Sequence, residues 1–381
     1  MAYKFKKQIF GFMDLLRFKK MVPIRREKLA NGDDKNLPVS YRVNETAKIL
    51  HPGFQKGKLI EIIQNTPDTK TYVFQTERPF YFRAGQYLTV GCQVGESRVA
   101  RPYAVSSAPK EALNKRISVI VKKSGFFSGY LFDNAKVGDE FTIGDPSGDF
   151  CYEPIKDSKN VLAIAGGSGI TPFFSMAQAI ADGTEDFYLT ILYGAKTEKD
   201  IIFKKELDKL VSEKIKVVYV LSDEKKAGYE NGFIGAELIR KYAQGDFTVM
   251  MCGPQAMYAF ADKELSAFNL PLRRVKKEAN CVGVRDVKND KFNIIVHIGF
   301  EKYCIEASAC ETVLSAMERA GINAPSKCRA GGCGFCHSRL VSGKFSIAGA
   351  DKRRLADLKF GYFHPCCSYP DSDMEIVVPK A

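Results

Sequence analysis

Cys328, Cys333 and Cys336, followed at a distance by Cys366, have the spacing that folds three thiolates and one remote thiolate around a two-iron, two-sulfur (2Fe-2S) cluster. Thiolates are soft, strongly donating ligands that hold ferric and ferrous iron alike. Gly331, Gly332 and Gly334 let such a loop curl tightly and aim backbone N–H groups at sulfur, which tunes the potential. The alternative metal reading is a zinc knuckle, but a four-residue gap followed by a two-residue gap does not match paired knuckles. His337 is expected to face away from the ligand set. Cys366 is preferred to Cys367 as fourth ligand because of its register before Tyr369 and Pro370; Cys367, Cys304 and Cys310 are read as packing residues. The chemistry is one-electron transfer.

Upstream, Arg101 and Tyr103 stand two residues apart, on one face of a strand. A guanidinium there neutralises a flavin phosphate, and the phenol ring lies against the isoalloxazine. Such a pair is also ordinary sheet surface, so its weight comes from Gly125, Phe127 and Ser128. Backbone N–H groups opening a helix there, with the Ser128 hydroxyl, suit a pyrophosphate. Gly166, Gly167 and Gly169 follow the buried run 161–165 and precede a helical region at 173–179. Glycines let a second phosphate approach the backbone, Thr171 offers a hydroxyl and Pro172 suits a first helical turn. The pattern is not Gly-x-Gly-x-x-Gly, so the dinucleotide is expected to cross the sheet edge differently, and a plain strand-to-helix turn is the alternative. Cys252, followed by Gly253 and Pro254, ends another buried run at a sharp turn. A small polarisable side chain there supports a nicotinamide against a flavin. With no general base in prospect, hydride positioning is preferred to nucleophilic attack. Tyr103 and Cys252 are therefore the candidate catalytic residues, and Cys92 and Cys151 receive no role.

The elements that must position these residues fall into three segments. Residues 50–157 read as short strands with frequent glycine, at 58–63, 71–74, 87–90, 117–121 and 140–143, which predicts a small antiparallel barrel. Residues 158–284 change scale, with buried strands at 161–165, 187–193, 217–221 and 247–251 separated by helical stretches, which predicts a parallel sheet with crossovers. Residues 285–291 form a polar, basic bridge, and 292–381 read as a small mixed sheet and helix, with strands at 292–298 and 374–378 and a helix at 312–320. The fold class is thus multidomain: an antiparallel β-barrel, an α/β domain with a parallel sheet, and a small α+β unit carrying the cysteines.

The chain's 381 residues exceed one hydrophobic core, and 45% apolar content fills several. No apolar run reaches the length of a membrane span, and no secretory core follows the basic start, so a cytoplasmic protein is expected. The odd count of 11 cysteines argues against an oxidised scaffold and for a reducing compartment. The net charge of +13 suits acidic partners or anionic lipid. Without basic and aromatic alternation in the central chain, no nucleic acid is expected as a partner. The charge concentrates in residues 1–49, an N-terminal extension. In its first thirty residues nine Lys or Arg face Asp14 and Glu27 alone, and Ile9, Phe12, Met13 and Leu16 recur at helical spacing. Residues 1–28 suit peripheral membrane contact or docking on an acidic partner; a helix covering the core, or a solvated leader, is the plain alternative.

Taken in order, the runs 101–107, 125–131, 166–172 and 251–254 and the four-cysteine set resemble the ferredoxin-NADP reductase-like flavoprotein oxidoreductases that carry a C-terminal plant-type ferredoxin domain, across about residues 50–381. The resemblance implies a flavin barrel, a nucleotide domain and a fused ferredoxin, with FAD, a 2Fe-2S cluster and NADH as cofactors; FMN and NADPH are the alternatives. It implies cofactor contacts from Arg101, Tyr103, Ala104, Val105 and Ser106, from Gly125, Phe127 and Ser128, from Gly166, Gly167, Gly169 and Thr171, and from Cys252, Gly253 and Pro254. Ala104 departs from the family, which usually has Ser or Thr there, and so removes a hydroxyl near flavin N5. Asp223 and Glu224 would repel a ribose 2′-phosphate, whereas Lys225 and Lys226 would attract it. The implied function is hydride transfer from NAD(P)H to FAD and single-electron transfer through the cluster to an acidic redox partner protein, such as an oxygenase, hydroxylase or other reductase. Reverse flow from reduced ferredoxin and a noncatalytic iron-sulfur adaptor are the rival readings.

Overall fold

A computed structural model describes residues 12–31, 42–243, 245–278, 285–347 and 349–380. Residues 1–11 of the basic segment, 32–41 and the expected end of the nucleotide domain at 279–284 lie outside the described residues. The chain divides into two compact units, Met1–Ala47 and Lys48–Ala381. Helix α1 (Phe12–Ala30) carries Pro23 and exposes Leu16, Phe18, Met21 and Ile24; α2 (Arg42–Leu50) has no buried residue. Among the described residues no helix is long and apolar enough to cross a membrane.

The larger unit opens with β1 (Gln55–Thr66), β2 (Thr69–Thr76), β3 (Tyr87–Val94), β4 (Ser97–Ala104), β5 (Arg116–Lys122) and β6 (Glu140–Ile143), accompanied by α3 (Pro109–Leu113) and α4 (Phe126–Asn134). All their pairings are antiparallel, in the order β4-β3-β6-β1-β2-β5. Beyond β4, Val105 bridges to Val119 and Ser106 N–H donates to the Ser118 carbonyl at 2.8 Å, which curls the sheet into the expected barrel. Alternation along the strands sends Leu59, Tyr72, Phe74, Leu88, Val90 and Ile117 into one core.

Next come β7 (Asn160–Gly166), α5 (Thr171–Ala181), β8 (Tyr188–Ala195), α6 (Lys204–Leu210), β9 (Ile215–Leu221), β10 (Glu230–Asn231), α7 (Ala236–Tyr242), β11 (Thr248–Cys252), α8 (Gln255–Leu265) and β12 (Val275–Lys277). The sheet is parallel, ordered β10-β9-β8-β7-β11-β12, with an apolar cluster against each face. Burial on both faces explains why these strands read as continuous apolar runs. Successive strands step from β7 to β9 in one direction and then return to β11 on β7's other side, so the order reverses between β7 and β11.

The last third pairs β13 (Lys291–Ile298), β14 (Glu301–Ser308), β15 (Ser338–Ser342), β17 (Tyr362–Phe363) and β19 (Met374–Val378) in the order β14-β13-β19-β15-β17; β16 (Phe345–Ile347) and β18 (Ser368–Pro370) make a separate ribbon. Helix α9 (Val313–Arg319) covers the sheet, capped by the Thr312 hydroxyl, which accepts from Ser315 N–H at 3.2 Å; α10 (Leu355–Lys359) follows. Two expectations shift. The strand expected at 187–193 runs from Tyr188 to Ala195, and the bridge expected to reach 291 yields Lys291 to β13. Arg285, at the start of that bridge, is fixed by ion pairing to Asp371 at 2.8 Å.

The first two domains are tied at several points. Ser175 of α5 donates to the Ser107 carbonyl and Gln178 to the Ser106 carbonyl, both at 2.7 Å. Lys276 reaches the Cys151 carbonyl at 2.9 Å and pairs with the fully buried Asp157 side chain at 2.5 Å. Phe150 and Phe173 meet edge to face at 5.7 Å between ring centroids. These contacts hold the barrel and the parallel sheet in one orientation.

Candidate functional site

The glycine-rich turn at 166–169 and the Cys252 turn lie side by side because β7 and β11 are parallel neighbours with Ala165 opposite Cys252. Their C-terminal ends flank the point where strand order reverses, the place where open α/β sheets leave a crevice for ligands. The turns are packed too closely for side chains. A Cβ at Gly169 would sit 2.0 Å from the Cys252 carbonyl oxygen, and one at Gly253 would sit 3.1 Å from the Gly166 nitrogen. Gly167 has φ +55° and open space where a side chain would stand, leaving backbone accessible to a phosphate. Tyr193, which sequence reasoning missed, props this turn from β8: its buried hydroxyl donates to the Gly167 carbonyl and accepts from Ile202 N–H, both at 3.0 Å. Thr171 opens α5, but its hydroxyl donates back to the Ser168 carbonyl at 2.7 Å.

Cys252 is buried at the end of β11. Burial, with a smaller push from the Glu278 carboxylate, drives its thiol well above the ordinary range. A thiol held neutral packs rather than attacks.

On the barrel, Arg101 and Tyr103 lie on β4 opposite Val90 and Leu88, and Ala104 stands opposite Tyr87. The Arg101 guanidinium lies 6.0 Å from the Phe127 ring centroid in the first turn of α4. A cation therefore sits beside a helix N-terminus whose Ser124 and Gly125 N–H groups converge within 3.0 and 2.9 Å of the Ser128 hydroxyl oxygen. Those two N–H groups are already satisfied by Ser128, which leaves the guanidinium as the group that suits a phosphate. Ser128 differs from expectation: it is buried and caps its own helix, donating to the Gly125 carbonyl at 3.0 Å. Ser106 is also turned inward, sharing a 2.7 Å hydrogen bond with Ser118.

Arg101 has a partner that short-range spacing did not reveal. Its Nη1 lies 3.0 and 3.2 Å from the two carboxylate oxygens of Glu318 in the last turn of α9, and the same carboxylate takes Nη1 and Nη2 of Arg329 at 2.6 and 2.9 Å. Burial, then the nearby Arg329 charge, lowers the Arg101 pKa from its ordinary value. A signal existed: Glu318 falls one turn after Leu314 on the buried stripe of α9, where an acidic residue needs a cation.

The cysteine loop follows directly. Among the described residues no three His, Cys, Asp or Glu side chains converge on a single ion. Hydrogen bonds pair Cys328 with Cys333 and Cys336 with Cys366, and Cys366 is also bonded to Cys367. Within the pairs Cys328 and Cys366 are drawn down, each by the hydrogen bond from its partner thiol, while Cys333 and Cys336 are pushed up by the same bonds. Ala330 and Cys333 N–H groups also lie 3.4 Å from Cys328 Sγ. Cys367 packs against Gly331, with its thiol toward the His364 carbonyl at 3.5 Å. His337 Nδ1 meets the Gly334 carbonyl at 2.9 Å. Cys328 and Ala330 pack on Tyr87, joining the cysteine loop to the barrel.

Comparison with known proteins matches three consecutive segments: an oxidoreductase FAD-binding domain at residues 56–152, an oxidoreductase NAD-binding domain at 163–263 and a 2Fe-2S iron-sulfur cluster binding domain at 296–371. The chain is 26% identical over 352 residues to the glycine betaine monooxygenase reductase subunit of Chromohalobacter salexigens, covering 85% of this chain and 95% of that one. It is 30% identical over 237 residues to NADH-cytochrome b5 reductase 1 of Candida glabrata, covering 58% of this chain and 82% of that protein. The solved phthalate dioxygenase reductase shares the fold, with a TM-score of 0.63 at 23% identity over 86% of this chain and 98% of the other.

Gly169→Ala places a methyl group against the Cys252 carbonyl and is expected to lower the unfolding free energy by about 1–3 kcal/mol. Urea unfolding followed by tyrosine emission, in a chain without tryptophan, checks it.

Proposed function

This chain belongs to the ferredoxin-NADP reductase-like flavoprotein oxidoreductases with a C-terminal 2Fe-2S ferredoxin domain, and from that premise we propose that it takes hydride from NADH and delivers single electrons to an acidic oxygenase or monooxygenase partner. The enzyme class is an NAD(P)H-dependent FAD and 2Fe-2S reductase. Bound FAD and cluster convert one two-electron hydride transfer into two one-electron deliveries. The observation that carries the reading is the arrangement of the three binding regions within one unit, the nucleotide turns braced on the barrel by Ser175 and Gln178 and the cysteine loop seated on Tyr87.

In this reading Arg101 and the first turn of α4 hold a flavin phosphate, with Val105 and Ser106 in the backbone beside it and Phe127 beneath the guanidinium. Tyr103 covers the flavin ring, and Ala104 leaves backbone rather than a hydroxyl at that position. Gly166, Gly167 and Gly169 receive the nucleotide pyrophosphate, and Thr171 orders the turn. Cys252, Gly253 and Pro254 shape the nicotinamide's place, with the thiol neutral. Cys328, Cys333, Cys336 and Cys366 would hold the cluster, which would supply one-electron chemistry there. Asp223 accepts the Ser222 hydroxyl at 2.6 Å and Lys226 is paired with Glu198, so one of the two lysines that would attract a ribose phosphate is already engaged; this favours NADH.

The relatives supply the partner class: the Chromohalobacter protein is by name a monooxygenase reductase subunit. Around the cysteine loop, Cys333 and Phe335 are exposed and Lys327 lies 5.4 Å from the Phe335 ring centroid. Exposed Leu355, Leu358 and Phe360 lie on and beside α10. Apolar surface with lysine at its edge, in a chain of net charge +13, suits an acidic partner face. For α1, the exposed Leu16, Phe18, Met21 and Ile24 among Arg17, Lys19, Lys20, Arg25 and Arg26 support peripheral contact with anionic lipid.

Three outcomes follow. Anaerobic stopped-flow mixing with NADH is expected to bleach the flavin and then the cluster, more slowly with NADPH; no bleaching with either nucleotide at full cofactor loading sinks the reading in favour of reverse flow or an adaptor. Cys366→Ser is expected to abolish the 2Fe-2S visible spectrum and iron content while Cys367→Ser keeps both, and the reverse pattern would move the fourth ligand. Sedimentation with phosphatidylserine-rich vesicles is expected to carry down the full chain but not a variant lacking residues 1–28, and an unbound full chain removes the membrane contact.

A further inference from the structure

We propose that Glu318 is a positioning residue that clamps the cysteine loop to the flavin barrel, so that electron passage between flavin and cluster depends on its carboxylate while nucleotide oxidation does not. The proposal rests on the functional reading above and adds a residue that reading does not use.

The carboxylate is buried and shared between two guanidiniums from different domains. Arg329 grips it with both terminal nitrogens, a bidentate fork that fixes orientation as well as distance. Arg101 reaches it from β4 with one nitrogen, Nη1, which also donates to the Ala100 carbonyl at 2.8 Å. The remaining guanidinium N–H groups are borne on Nε and Nη2, which suits a single arginine bridging Glu318 and a phosphate. Arg329 stands between Cys328 and Ala330 in the loop and is held at φ +52°, a left-handed conformation that an L-residue with a long side chain rarely adopts. The fork on Glu318 supplies the reason for it. A pull on Arg329 therefore acts on Cys328 directly, and Cys328 and Ala330 are the residues packed against Tyr87.

A buried carboxylate facing one buried and one half-buried cation cannot be removed quietly. Its loss leaves Arg101 and Arg329 as like charges without their shared counter-ion, and the arrangement relaxes by separating the domains that carry them. Tyr87 and the loop would then lose their fixed spacing, although neither cofactor would lose a ligand.

The test uses the holoenzyme and its E318Q variant, which keeps the side-chain shape and removes the charge. In anaerobic stopped-flow with NADH, flavin bleaching and steady-state ferricyanide reduction are expected to be unchanged, and the following cluster bleaching slowed by roughly tenfold or more. The E318Q/R329Q double variant is expected to be no slower than E318Q, since both remove one interaction. Amide exchange is expected to rise together at residues 326–336 and 85–90. Cluster bleaching at the parent rate, or slowing that adds up in the double variant, overturns the clamp. If E318Q purifies without its cluster, E318D is read by the same ratio of the two steps, and an unchanged ratio there also overturns it. If the parent's flavin does not bleach at all, the functional reading fails instead. The clamp then stands or falls on whether E318Q raises amide exchange at both segments.

Discussion

The arrangement depends above all on a charged contact placed out of water, the Glu318 carboxylate between Arg101 and Arg329. Burying three ionised groups costs several kcal/mol each before pairing returns any of it. Apolar residues of similar volume would fill the same space without that cost. They would also permit sliding, because apolar contact is non-directional, whereas a bidentate fork accepts one distance and one plane. For a chain that moves electrons between two bound groups, a fixed separation matters more than the last increment of stability. The apolar seat of Cys328 and Ala330 on Tyr87 supplies the contact, and the charged triad supplies its register.

The nucleotide side meets the same demand by different means. There the spacing is set by absence of side chains: Gly169 lies against the Cys252 carbonyl and Gly253 against Gly166, so two turns at neighbouring strand ends close onto each other. Backbone packed on backbone is as fixed as an ion pair. Tyr193 stiffens the outer turn, and α5 carries that rigidity to the barrel through Ser175 and Gln178. One helix thus both opens at the glycine-rich turn and grips the Ser106 and Ser107 carbonyls just beyond β4.

Much of this was legible in the chain because the relevant patterns are short. Cysteine gaps, glycine turns at strand ends and the change from alternating to continuous apolar runs each need only a few neighbours, and they place the barrel, the parallel sheet and the cysteine unit in order. Strand ends moved by up to four residues, as at β3, because polar or glycine-rich ends of a strand carry no apolar signal even where the ladder continues. What short patterns do not carry is side-chain direction. Ser128 and Ser106 turn their hydroxyls inward, one to cap a helix and one to meet Ser118, because local donors and acceptors lie within hydrogen-bond reach. Arg101 and Glu318 lie 217 positions apart, so no window over the sequence joins them. Glu318 stands as a charge on the buried stripe of α9, but its pairing with Arg329 and Arg101 is a product of the tertiary fold.

The cysteines show how environment divides labour among identical side chains. Cys92, Cys151 and Cys252 are all pushed up, with burial the first cause in each case, and they remain small neutral thiols at neutral pH. Cys328 and Cys366 are drawn down by hydrogen bonds from their paired thiols, and backbone N–H groups add to the effect. Cys333 and Cys336, at the other ends of those bonds, are pushed up, so the loop as a whole is not biased toward thiolate. Burial at the Cys252 turn keeps a lone thiol protonated, whereas the loop thiols share hydrogen bonds with one another, so identical side chains sit in chemically distinct settings within one fold.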